Sequence, residues 1–237
     1  MTKDHTKKFV TFEKKAGVSF TDRTLLQTAF THRSYLNESK STGEHNERLE
    51  FLGDAVIELV VTDHLYRDFP DSHEGDLTAY RAALVNAVTL GGVAETIGMN
   101  ECLLLSRGES KDTGKARMTI LANTFEAVVG ALYLDQGYEV AETFIVKHVL
   151  SQLKTILDLG TWKDAKSKFQ EFSQATYGVT PRYETVNAEG PDHDKNFIVH
   201  VFVDDTVAGE GTGKSKQEGE QSAAENALKE ARRGAKK

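Results

Sequence analysis

The chain has 237 residues, enough to bury one large core or a medium and a small one. With 39% hydrophobic and 27% charged residues it reads as a soluble globular protein, which excludes disorder throughout, and a single cysteine excludes an intrachain disulfide or a cysteine-rich zinc site. The formal net charge of −7 argues against nucleic acid as a partner, because phosphate binding is carried by Lys and Arg, unless the acids are gathered where cations bind.

The start, "MTKDHTKKFVTFEKKAG", lacks an apolar core of signal-peptide length, and no apolar run is long enough to span a bilayer. The expectation is a cytoplasmic protein with no membrane partner. From about residue 7 to residue 153 the spacing of apolar residues predicts helix almost throughout, in "TLLQTAF", "RLEFLGDAVIELVVTDHLY", "AALVNAVTLGGVAETIG", "TILANTFEAVVGALYLDQG" and "EVAETFIVKHVLSQLKTIL". Thr21 and Asp22 open one helix, Asn46 is placed to cap another, and "RDFPDSHEGDLT" separates two helical stretches. Cys102 lies in "ECLLL", a core setting. No strand is expected in this part.

The texture changes after "LDLGTWKDAKS". A helix at "KSKFQEFSQATYG" precedes "PRYETVNAEG", "NFIVHVFVDD" and "TVAGEGTGKS", where β-branched and aromatic residues alternate with polar ones between turns, and "KQEGEQSAAENALKEARR" forms a last helix. The reading is an all-α domain over residues 7–153, a linker at 154–163, and a small α+β domain of order α-β-β-β-α over 164–233.

"HNERLEFLGDAV", residues 45 to 56, carries the chemistry. At about 100° per residue, Glu47, Glu50 and Asp54 fall within roughly 60° of helical arc. Such a triplet is unfavourable unless the face is solvated, the groups are protonated, or cations sit there. Leu49, Phe51, Leu52, Val56, Leu59 and Val60 predict a largely buried helix, so acids at its border suggest a metal site. Glu126, in an apolar helix three residues after Asn123, needs a partner, and Glu74 opens a further helix, where a favourable first-turn charge would also explain it. If these helices meet, oxygen ligands converge, which suits magnesium rather than zinc and the two-metal chemistry of phosphoryl transfer. His32, beside Arg33 and Tyr35, reads as a packed residue rather than a general base, and Glu58 as a salt-bridge partner.

The segment "HNERLEFLGDAV" looks like the signature of the ribonuclease III family, and "AFTHRSY", "FPDSHEGDLTAYRAALVN" and "ILANTFEAVVGALYLDQG" fall around it in the order seen in bacterial members. The resemblance implies an endoribonuclease that hydrolyses double-stranded RNA with magnesium, manganese being a possible substitute, and no organic cofactor. It implies magnesium ligation by Glu50, Asp54 and Glu126, with Asp54 and Glu126 most important for catalysis, and a supporting role for Glu47 and Glu74. Asn123 stands where most familiar bacterial members have Asp; a neutral carbonyl oxygen still ligates but attracts a cation less. The family's twofold dimers imply a homodimer with Phe51 packing into the partner, and a pair of cuts leaving 5′-phosphate, 3′-hydroxyl ends with short 3′ overhangs. Ribosomal RNA precursors and structured messenger RNAs are the implied substrates.

The second module resembles the double-stranded RNA-binding domain, through "FQEFSQ", "EGPDHDKNFIVHV" and "GEGTGKSKQEGEQSAA". The resemblance implies Glu171, Gln174 and His193 at 2′-hydroxyls in successive minor grooves, and Lys214 and Lys216 at phosphates. Two departures stand out: Gln217 follows Lys216 where a second basic residue is usual, which should weaken binding and flatten its salt dependence by about one unit of slope. Gly219 replaces the common alanine, at about 1 kcal/mol to the helix. Two other readings compete, a binding-only protein favoured by Asn123 and a helical metal phosphohydrolase acting on nucleotides. The four acids Glu47, Glu50, Asp54 and Glu126 oppose the first, and the duplex-binding module opposes the second.

Overall fold

The structure, a computed structural model, describes residues 3–39, 43–191 and 195–234. Its contacts divide the chain into two compact units, Met1–Trp162 and Lys163–Lys237.

The first unit is helical. It runs through α1 (Lys3–Ala16), α2 (Arg23–Ala29), α3 (Arg33–Ser39), α4 (Glu47–Asp68) and α5 (Glu74–Val85). It continues with α6 (Ala87–Thr96), α7 (Lys115–Gln136), α8 (Tyr138–His148) and α9 (Leu153–Leu159). The only bridge among its described residues joins Thr31 and Leu104, in parallel. Among the described residues no helix is long and apolar enough to cross a membrane.

Two 22-residue helices, α4 and α7, form the centre. Val56, Ile57, Val60 and Val61 of α4 and Leu121, Phe125, Val128, Val129 and Leu132 of α7 are buried. Each such side chain contributes roughly 1.5–3 kcal/mol through removal from water. The helices come unusually close because each offers a glycine: a Cβ on Gly53 would be driven into the Glu126 carbonyl oxygen, and one on Gly130 into that of Leu49. Backbone thus touches backbone next to the acidic residues of both helices.

The burial expected of α4 holds for one face only. Phe51 is 81% exposed and Leu59 58%, with Tyr66 further along at 74%. An apolar sequence reveals that a helix is to be covered, not whether this chain or a second molecule covers it. Capping at the helix starts also differs in detail. Asp22 accepts from the Thr24 N–H at 2.8 Å, and Asp135 accepts from the N–H groups of Thr21 and Asp22, both at 2.8 Å. Asn46 occupies the cap position of α4, but its side chain makes no capping bond and the residue is buried.

The segment read as a linker, residues 154–163, is mostly structured. It contains all but the first residue of α9, whose Ile156 is buried, and Trp162 packs edge-on against Tyr80 of α5 at 4.6 Å between ring centroids. Its Gly and polar composition concealed contacts made with a helix about eighty positions earlier.

The second unit is α10 (Ala165–Tyr177), β1 (Arg182–Glu189), β2 (Asn196–Val203), β3 (Thr206–Gly213) and α11 (Lys216–Gly234). The strands form an antiparallel sheet in the order β1-β2-β3. Val199 and Val201 of β2 point to the helices and are buried with Phe169, Ala223, Ala224 and Ala227. Gly219 is explained here: a Cβ would stand 2.7 Å from Val199 Cγ2, so the glycine lets α11 lie close over β2. The start of α11 carries a capping signal the sequence reading passed over, "SKQE": the Glu218 N–H donates to Ser215 Oγ at 3.1 Å, and Glu218 Oε2 accepts from the Lys214 N–H at 2.8 Å.

Candidate active site and nucleic-acid interface

The contact at Gly53 and Gly130 brings a turn of α4 and a turn of α7 together backbone to backbone. Glu50 and Asp54 flank Gly53 on α4, and Asn123 and Glu126 precede Gly130 on α7. The groups sense one another strongly. Glu126 is pushed up to about 7, first by burial and then by the charges of Asp54 and Glu50. Glu50 is also raised, by burial and by Glu47 and Asp54, against a hydrogen bond with Asn123 that lowers it. The half-buried Glu50, Asn123 and Glu126 thus sit close enough at the α4/α7 contact to feel one another, with the exposed Asp54 adding its charge.

Glu47 sits at the edge of this group. It acts on Glu50, yet its own carboxylate faces Arg33 Nη1 at 3.5 Å and His45 Nδ1 at 3.9 Å. Glu74, exposed at the start of α5, accepts from Thr78 Oγ1 at 3.2 Å, and it is not among the charges that act on Glu50 or Glu126. Glu58 turns away to Arg81, 3.7 Å distant. His32 is half-buried and shares a 2.8 Å hydrogen bond with Ser34 Oγ; burial lowers its pKa, consistent with a packed residue.

The donor set is wholly oxygen, from Glu50, Asp54, Glu126 and the Asn123 amide, which is the chemistry a hard divalent cation takes. As they are placed, no three His, Cys, Asp or Glu side chains among the described residues form a group that could hold a metal ion. The fit is therefore one of chemistry and of charge crowding, which a cation would relieve.

Phe51, one turn along α4 from Glu47, projects beside a groove of about 710 Å³ lined by Leu25, Thr28, His45, Leu49, Leu52 and Leu134. Leu134 is itself 55% exposed. The sequence reading did not anticipate this groove, because its walls come from α2, the start of α4 and the end of α7.

In the second unit, Glu171 and Gln174 lie on one side of α10. The Glu171 carboxylate receives Lys163 Nζ on both oxygens at 2.7 Å, and Gln174 Nε2 donates to Thr180 Oγ1 at 3.1 Å. Lys214 and Lys216 bracket the capped start of α11. His193 lies outside the described residues.

Comparison with known proteins agrees with both units. The Ribonuclease-III-like family model matches residues 22–153, and the double-stranded RNA binding motif matches residues 165–230. The chain is 41% identical to Ribonuclease 3 of Borreliella afzelii over 92% of its own length and 89% of the relative's. It is 43% identical to Ribonuclease 3 of Bdellovibrio bacteriovorus over 91% and 93%. Among solved structures, the nuclease domain of ribonuclease III from Campylobacter jejuni, described with structural flexibility in a region involved in dimer formation, superposes with a TM-score of 0.55. That match has 37% identity and covers 60% of this chain and 95% of the other.

Proposed function

The chain belongs to the ribonuclease III family and is a double-strand-specific endoribonuclease, and we propose that it works through the carboxylates gathered at the α4/α7 contact. The observation that carries this reading is the mutual crowding of Glu50, Asp54 and Glu126, with Glu126 driven to about 7. Structure alone gains nothing from pressing desolvated acids together. Glu50, Asp54, Asn123 and Glu126 would hold magnesium, or manganese in its place. When bound there, the ion polarises phosphoryl oxygens and lowers the pKa of water.

The chain's own groups supply the rest. The Asn123 hydrogen bond orients Glu50, partial burial raises Glu126, and Glu126 can hold or release a proton near neutral pH beside the scissile phosphate. Water adds to phosphorus and the bond to the 3′ oxygen breaks, leaving 5′-phosphate and 3′-hydroxyl ends. Glu47 and Glu74 support the site from its periphery. The second unit delivers duplex RNA, with Glu171, Gln174 and His193 in the minor grooves and Lys214 and Lys216 on phosphates.

The active species in this reading is a homodimer. Phe51 is exposed in a groove that mixes Leu25, Leu52 and Leu134 with Glu44 and Arg48, and the Campylobacter jejuni nuclease domain has a region involved in dimer formation. Two sites related by a twofold axis would cut both strands and leave short 3′ overhangs. Ribosomal RNA precursors and structured messenger RNAs in the cytoplasm are the proposed substrates.

The test is cleavage of a long, perfectly paired RNA by the purified chain, in magnesium and in calcium, with product ends mapped. Short duplexes with 3′ overhangs in magnesium alone are expected. Tight binding without cleavage in magnesium or manganese would replace this reading with a duplex-binding regulator. Phe51→Asp is expected to convert the dimer to monomer in analytical ultracentrifugation, and an unchanged dimer would remove Phe51 from the interface.

A further inference from the structure

The second unit has a groove of about 720 Å³ between the ends of α10 and α11 and the turn that joins β2 to β3. One wall is aromatic. Phe169 and Phe172 stack at 6.2 Å between ring centroids, and Tyr177, 55% exposed, meets Phe172 edge-on at 5.9 Å. The rest is low, because the apolar residues that α11 and β3 bring to it are Ala227, Ala231 and Ala208. Small residues where large ones would close the core leave room for a side chain from outside, and the volume falls within the range of about 300–1,000 Å³ found for binding clefts.

The rim is acidic. Asp204 and Glu230 are the charged groups among the described residues of the lining, and Asp205 follows in the same turn. Asp204 holds φ 52°, the left-handed value of a tight hairpin turn, so the backbone sets these exposed carboxylates at the groove's edge. The groove also lies apart from the residues proposed to face RNA. On α10, Phe169, Phe172 and Thr176 project roughly 160° around the helix from Glu171 and Gln174. Along α11, Ala227 stands about 16 Å beyond Lys216.

We propose that this groove is a docking site for a basic, amphipathic segment of another protein, one that sets a Leu or Phe side chain between the aromatic wall and the alanines and places Lys or Arg beside Asp204 and Glu230. Charge complementarity selects this occupant. A second copy of the chain is the poorer fit, since the whole chain carries a net charge of −7. Because the groove and the RNA-facing residues occupy different parts of one unit, the segment and a duplex bind together.

The probe is a library of random peptides displayed on phage and selected on the purified full chain. Survivors are expected to combine Leu or Phe with Lys or Arg and to lack acids. The peptide recovered most often, made synthetically with a fluorescent label, should bind Ala231→Trp at least about tenfold more weakly, because the indole fills the groove. Ala231→Trp should leave the affinity for duplex RNA within about twofold. Asp204→Asn combined with Asp205→Asn keeps the turn, since Asn tolerates the left-handed region, and should weaken peptide binding about threefold. An absence of survivors, survivors rich in acids, or a peptide that binds Ala231→Trp as tightly as the wild-type chain would overturn the proposal. Concentration-dependent self-association that Ala231→Trp abolishes would also overturn it, by making a second copy the occupant. If Ala231→Trp does not fold, the Asp204 and Asp205 variant decides, and peptide binding that it leaves unchanged would overturn the site.

Discussion

The α4/α7 contact and the second unit treat their acidic residues in opposite ways. In the second unit four acids find partners: Glu171 with Lys163, Glu220 with Lys166 at 2.6 Å, Glu210 with His200 at 2.9 Å, and Glu218 with the backbone of Lys214. At the α4/α7 contact the charges acting on Glu126 are those of Asp54 and Glu50, and all are negative. Partnered acids organise a fold. Crowded ones raise its free energy unless something positive arrives, and that separates the chemistry of the molecule from its scaffolding.

Removing one acid of each kind is the strongest way to break the comparison. Glu126→Gln is expected to lower the cleavage rate by about a thousandfold. In metal-free buffer at pH 8 it should raise stability by about 1 kcal/mol, after allowance for its partial exposure, or Tm by about 3 °C. Glu220→Gln should leave the rate unchanged and lose less than about 1 kcal/mol, since Lys166 and Glu220 are both partly exposed. Equal effects on rate would dissolve the distinction.

The glycines give the next contrast. Gly53→Ala drives a methyl into the Glu126 backbone and should cost about 3 kcal/mol in denaturant unfolding. Gly219→Ala brings a methyl to 2.7 Å from the buried Val199 side chain, which must shift, while helix propensity is gained, so the net change should stay within about 1 kcal/mol.

The smallest effect is in pH dependence, and its two parts have opposite signs. Glu126 rises from an ordinary value of 4.5 to about 7 on folding, so its contribution is fully present below pH 4.5 and is lost as pH climbs through 7. Asp164 is lowered from 3.8: burial pushes it upward, but hydrogen bonds from Ser167, Gln221 and Lys166 together outweigh this. Its contribution is present above pH 3.8 and is lost as pH falls through the depressed value. Thermal melts of metal-free protein resolved by unit should show the nuclease unit weakening between about pH 4.5 and 7 while the RNA-binding unit does not. Magnesium should flatten the nuclease slope.

Much of this was legible in the amino-acid order. Helical periodicity placed Glu47, Glu50 and Asp54 on one face and Asn123 with Glu126 on another, and alternation marked all three strands. What escaped depended on contacts distant in sequence. Residues 154–163 look like a linker until Ile156 and Trp162 find their partners. Leu59 looks like core until the helix is seen to expose that side. Gly219 looks like a defect until Val199 is seen beneath it. Glu74 is marked by family resemblance, yet its placement within a single chain does not bring it to the crowded acids.

In the proposed mechanism the acids at the α4/α7 contact are tolerated because a divalent cation belongs among them. This is tested most directly by following the side-chain carboxyl of Glu126 by carbon NMR through a pH titration, without metal and then with magnesium. A midpoint near 7 in metal-free protein, falling by more than about one unit on adding magnesium, is the predicted result. A midpoint that magnesium leaves unmoved would contradict the account.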